Sequence, residues 1–150
     1  MKDFRQLKVW QKSHQLALEL YQITASFPRS EAYGLTLQIR RAAVSISSNI
    51  AEGCGRSGKA ELARFCQIAS GSASELEYQL LLARDLKLIK PNDYEKLAPL
   101  TIEIKRMLTV FIQKLNAESY KRAATSSLSS LVAATGRARW NKRYLFLSPG

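Results

Sequence analysis

The sequence predicts an all-α protein, an antiparallel up-and-down four-helix bundle followed by a basic C-terminal extension. Three observations lead there. Apolar residues recur every three or four positions through four successive segments, the period of an amphipathic helix. The segments are separated at Phe27-Pro28, at the glycine-rich loop after Gly53 and at Lys90-Pro91. No alternating stretch of strand length and no strand–helix–strand pattern occurs in the first 118 residues. The short connections make sequential helices antiparallel neighbours.

The first helix is expected from about Leu7 to Phe27. Val9, Leu16, Leu20, Ile23 and Phe27 form its stripe, widened by Trp10, Ala17, Tyr21 and Thr24. His14 lies on that wider edge, where a lone histidine reads as a packed or hydrogen-bonded core residue. Phe27 precedes proline, which disfavours the α region and ends the helix. Ser30 is placed to cap a short lead-in through Tyr33 and Gly34.

The second helix, Leu35 to Gly53, has its seam at Leu35, Ile39, Ala42, Ile46 and Asn49 or Ile50, with Gly53 as the residue just past its end. Its other faces are unusual for a solvated helix, because Ala43, Ser45, Ser47, Ser48 and Ala51 are small. Close neighbours on nearly every side are expected. Ser57 is placed to cap the third helix, Lys59 to Lys87, whose seam runs through Phe65, Ala69, Ser72, Leu76, Gln79 or Leu80, and Ala83. The fourth starts near Asn92, with Glu95 completing a capping box, and runs to about Asn116. Pro99 must kink or restart it.

The bundle therefore occupies residues 1–118, and residues 119–150 form a Ser/Ala-rich extension. Leu128, Leu131 and Val132 would support a short helix there and Tyr144 to Leu147 a strand-like piece, which lies outside the residues described below, and the composition is compatible with disorder. Composition overall is that of a globular protein, 46% hydrophobic and 23% charged, but the net charge of +11 is not. It favours a polyanion as partner. The charge is uneven: residues 1–118 hold 17 bases and 12 acids, or +5, while the remainder holds six bases and no acid.

Cys54 and Cys66 are too few for a disulfide framework and lack metal-ligand spacing with His14, so no metal or cofactor is expected and a reducing, cytoplasmic home fits. The N-terminus lacks an apolar leader core, and no run approaches the ~18 apolar residues of a membrane span. Neither Ser/His/Asp, Cys/His nor paired-carboxylate chemistry is present, which argues against an enzyme. The loop Gly53-Cys54-Gly55-Arg56-Ser57-Gly58-Lys59-Ala60 nearly spells a nucleotide-binding P-loop. It carries Ala60 where the motif needs a magnesium-binding hydroxyl, and a helix precedes it instead of a strand.

Two sets of residues stand out. Arg40, Arg56 and Lys59, with Arg137, Arg139, Lys142 and Arg143 in the aromatic-interleaved tail segment, are candidates for nucleic-acid phosphates. Arg41, Ser45, Asn49 and Glu52 are candidates for a structural polar network with Ser72, Glu75 and Gln79 of the third helix, because both signs occur on one face.

FRQLKVWQKS at Phe4–Ser13, FPRSEAYGL at Phe27–Leu35, QIRRAAVSISSNIAEGCGR at Gln38–Arg56 and RFCQIASGSASEL at Arg64–Leu76 resemble the proteins encoded by intervening sequences in 23S rRNA genes, the S23 proteins. The resemblance implies a four-helix bundle assembled as a ring, typically a pentamer, without established enzymatic activity. A more distant similarity is to the accessory protein of diversity-generating retroelements, a basic pentamer that binds nucleic acid and a reverse transcriptase. The expected function is thus low-specificity binding of RNA or DNA by an oligomeric bundle. The alternative is a scaffold whose ring docks another protein, with no direct nucleic-acid role.

Overall fold

The computed structural model describes residues 3–141, with side chains through residue 135. Four α-helices, α1 (Lys8–Thr24), α2 (Leu35–Gly55), α3 (Lys59–Asp85) and α4 (Pro91–Asn141), are preceded and punctuated by two 3-10 turns, Phe4–Gln6 and Arg29–Glu31. There is no strand among the described residues. Residues through Asn116 form one compact unit, the bundle, and those from Ala117 onward form a second.

Cross-helix contacts give the topology of the bundle. Lys12 pairs with Glu103 and Lys96 with Glu19, so α1 and α4 run in opposite directions. Arg40 meets Thr24, Ser45 meets Ser72, and Lys105 meets Glu77, which places the helices in cyclic order. The core between them is aliphatic: Leu16 and Leu20, Ile39, Ile46 and Ile50, Leu76 and Leu80, and Leu97, Ile104 and Leu108 have no exposed surface. Each fully buried side chain of this kind stabilises by about 1.5–3 kcal/mol.

Helix ends differ from the sequence expectation for local reasons. α1 stops at Thr24, and the backbone N–H of Phe27 returns to the Thr24 carbonyl before Pro28. Ser30 caps no helix among the described residues; instead the Glu31 carboxylate accepts from the N–H of Leu35 at 3.1 Å and so satisfies a free donor at the start of α2. Gly53 does not lie past the end of α2 but inside it, buried against Leu62 and Phe65 of α3. A Cβ there would stand 2.8 Å from the Cβ of Phe65. Gly58, not Ser57, precedes α3, at a φ of +88° that an L side chain rarely adopts.

α3 ends at Asp85, two residues early, in a Schellman arrangement: the N–H of Leu88 reaches the carbonyl of Ala83, and that of Lys87 the carbonyl of Arg84, both at 2.9 Å. Lys87 occupies the left-handed position, φ 59°, where glycine is usual. α4 begins with Pro91 at its first position and the Tyr94 N–H bonded to the Lys90 carbonyl, so the Asn92 capping box does not form. The helix continues through Pro99 without a restart.

Nor does α4 stop at Asn116. From Ala117 to Thr135 there is neither glycine nor proline to end it. Thr125, Ser129, Ser130 and Thr135 each donate to the carbonyl four residues earlier, which satisfies hydroxyls that otherwise compete with helical backbone. Every residue from Tyr120 to Thr135 is exposed.

Candidate interaction surface

Arg40 was the base on α2 expected to face a ligand. Its position is structural instead: Nε donates to Thr24 Oγ1 at 2.8 Å, an outer nitrogen donates to the carbonyl of Tyr21 at 3.3 Å, and the guanidinium lies 4.6 Å from the Tyr21 ring centroid. Thr24 is buried, and its hydroxyl donates a hydrogen bond to the Leu20 carbonyl. A planar fork with several donors suits this triple contact. Arg40 thus fastens α2 to the last turn of α1.

Arg41, expected inside the polar network, is exposed and makes no hydrogen bond or ion pair among the described residues. Successive residues on a helix are about 100° apart, so Arg40 turns toward α1 while Arg41 turns outward. The network itself is smaller than expected. It joins helices only where the hydroxyls of Ser45 and Ser72 meet at 2.8 Å, with Asn49 Nδ2 donating back to the Ser45 carbonyl and hydroxyl. Glu52 turns to Arg56, one turn on, at 2.6 Å. Gln79 and Glu75 pair within α3 at 2.9 Å.

The loop before α3 is electrostatically occupied in the same way. Besides its bond to Glu52, Arg56 lies 5.4 Å from the Phe65 ring centroid. Arg64 grips Glu61 with two nitrogens, at 3.0 and 3.1 Å. That hydrogen bond holds the Glu61 carboxyl below its ordinary range and raises the Arg64 guanidinium. Lys59 is exposed at the first position of α3. Arg137 and Arg139 fall within α4, but their side chains, like Lys142 and Arg143, lie outside the described residues.

What the sequence did not single out is a groove on the outer side of α1 and α2. One part, of about 460 Å³, is lined by Trp10, His14 and Leu18 on one wall and Val44, Ser48 and Ala51 on the other. A second part of similar volume continues past Tyr21 and Val44 to Leu37, Arg40 and Arg41. His14 is not a core residue. It is exposed and stacks on Trp10, ring centroids 4.9 Å apart at 10°, while Phe4 meets the same indole edge-on at 4.8 Å. Leu18, Tyr21 and Val44 are 53%, 46% and 40% exposed, large values for apolar side chains standing together. The available signal was a second apolar stripe on α2, Leu37–Val44–Ala51, off the core seam.

Such a surface is suited to binding another macromolecule: it has an apolar floor and a cationic end. No cluster of His, Cys, Asp or Glu able to hold a metal ion occurs among the described residues, and none of their helices is long and apolar enough to cross a membrane. The family model described as 23S rRNA-intervening sequence protein matches residues 5–110. No curated protein matches the chain significantly. Among solved structures, a protein of unknown function from the S23 ribosomal protein family of Bacteroides thetaiotaomicron VPI-5482 is 27% identical, with a TM-score of 0.63. The alignment covers 69% of this chain and 97% of that one.

Proposed function

Because the chain belongs to the 23S rRNA-intervening sequence protein family, we propose that it works in the cytoplasm as a non-enzymatic homo-oligomer, a ring of five bundles, that binds RNA or DNA through basic charge with low sequence specificity. The observation that carries this reading is the distribution of charge. Within the bundle, Arg5, Lys12, Arg56, Arg64, Arg84, Lys96 and Lys105 are each held by an acid. Beyond Glu118 the sequence has six bases and no acid. Lys121 and Arg122 stand exposed on the continuation of α4.

Phosphates then meet the chain at the bases of this segment, Lys121, Arg122, Arg137, Arg139, Lys142 and Arg143. Arg40 and Arg56, also expected at phosphates, are engaged within the chain by Thr24 and Glu52. A ring repeats the basic segment in every subunit, which raises the local positive potential without requiring base-specific geometry. The reading is tested by binding to unrelated RNA and DNA sequences at two salt concentrations. Similar affinities that fall steeply with salt are expected, since each neutralised phosphate releases counterion. Absence of binding at low salt would remove it.

A further inference from the structure

We propose that the groove between α1 and α2 receives the outer face of α3 from a second copy of this chain, with Arg41 of the groove paired to Glu75 of the incoming helix. The proposal rests on the homo-oligomer reading and names the two surfaces that build it.

α3 carries two seams. One faces the core. On the opposite side Gln67, Gly71, Ser74, Tyr78, Leu81 and Asp85 recur at steps of four, three, four, three and four, and all are exposed. That spacing is the one a helix uses to lie along other helices. Tyr78 is 61% exposed, and Ile68 on the flank is 43% exposed. Gly71 has open space where a Cβ would stand, so a neighbouring pair of helices can approach closely there, between the larger side chains. Ser74, one turn on, is also small, and a helical serine can turn its hydroxyl back to the carbonyl four residues earlier when a partner covers it.

The groove takes up about three quarters of this ridge's length. From Leu37 to Ala51 its α2 wall spans about 21 Å, and the ridge from Gln67 to Asp85 spans about 27 Å, at 1.5 Å per residue. It also matches in charge. Arg41 stands beside the groove with no ion pair among the described residues. Glu75 stands beside Tyr78, exposed, also without an ion pair among them, and its Oε1 accepts from Gln79. Gln79 is 3% exposed and fixed in the core, so it holds the carboxylate in place for an incoming cation.

Covering either surface with an uncharged partner would desolvate an unpaired ion, an unfavourable arrangement. A second copy supplies the opposite charge to each. Groove and ridge are different patches of the same protomer, so the contact is head-to-tail and propagates into a closed ring or a filament instead of a two-fold dimer.

The experiment is light scattering coupled to size exclusion on the full chain at micromolar concentration, with circular dichroism to verify that each variant is folded. The wild-type chain is expected to run as an oligomer, Arg41→Glu and Glu75→Arg each to drop to the 16.8 kDa monomer, and the double reversal to regain the wild-type mass. Single variants that keep the wild-type mass, or a double reversal that stays monomeric, would overturn the pairing while leaving the oligomer reading intact. A monomeric wild type would overturn both. Loss of an unrelated bound protein in the single variants, with the mass unchanged, would assign the groove to that protein and overturn the proposal.

Discussion

The Nε of Arg40 donates to the Oγ1 of Thr24 across 2.8 Å, tying α2 to the last turn of α1. Removing it strips a charged donor from a buried hydroxyl and loosens the stack on Tyr21. Arg40→Ala is expected to lower unfolding free energy by about 1–2 kcal/mol in urea denaturation, with Arg40→Lys recovering only part. A loss below about 0.5 kcal/mol, the range of ordinary surface substitutions, would contradict the structural role.

Gly53→Ala separates two opposing effects. Alanine is favoured over glycine in a helix by about 0.8–1.0 kcal/mol. Here its Cβ would also meet Phe65 Cβ at 2.8 Å and Leu62 Cδ1 at 3.0 Å, and one of those atoms belongs to a side chain's base instead of its flexible tip. Overpacking of ~1–3 kcal/mol outweighs the propensity gain, so the variant unfolds at lower denaturant. Gly55→Ala, with nothing within 4 Å of its new Cβ, is the matched control and is expected to be neutral or stabilising.

Lys87→Gly has the opposite sign. The Schellman bonds of Leu88 and Lys87 hold Lys87 at φ 59°, a conformation unfavourable for an L side chain by about 1–2 kcal/mol. Glycine removes that strain but gains freedom in the unfolded chain, leaving a net stabilisation of about 0.5–1 kcal/mol by thermal or urea unfolding. Destabilisation would mean that the lysine side chain makes a contact more valuable than the strain.

Glu61 titrates in a direction set by Arg64. Its carboxyl is held below the usual value of 4.5, chiefly by the hydrogen bonds from Arg64. A depressed carboxylate stabilises the fold above its unfolded pKa and loses that contribution as pH falls through the folded one. Carbon-detected NMR titration is expected to place Glu61 below 4.5 and to return it upward in Arg64→Gln. An unchanged midpoint in that variant would show that the pair is not the cause.

Much of the bundle was legible because core seams obey a simple period. Leu16, Ile39, Ile46, Leu76 and Leu80 are fully buried where their spacing placed them. Helix termini were less legible, since Gly53 has the same identity whether it ends a helix or lets another approach. Neighbouring arginines were harder still. Arg40 and Arg41 differ by one helical step, and only the position of Thr24 on another helix decides which of them is engaged. The α1–α2 groove was hidden for a related reason, because Tyr21 widens the core stripe of its own helix and gives no sign in sequence that it stands 46% exposed.

The central claim is polyanion binding by the acid-free segment after Glu118, and fluorescence anisotropy with unrelated RNA and duplex DNA tests it most directly. For six phosphate contacts the slope of log affinity against log salt on duplex DNA is about −5, a loss of roughly a thousandfold between about 50 and 200 mM salt. Neutralising Lys121, Arg122, Arg137 and Arg139 to glutamine should make the slope shallower by about 0.9 for each phosphate no longer neutralised, without unfolding the bundle. An affinity that is absent at about 50 mM salt, or a slope that the four substitutions leave unchanged, would contradict the account.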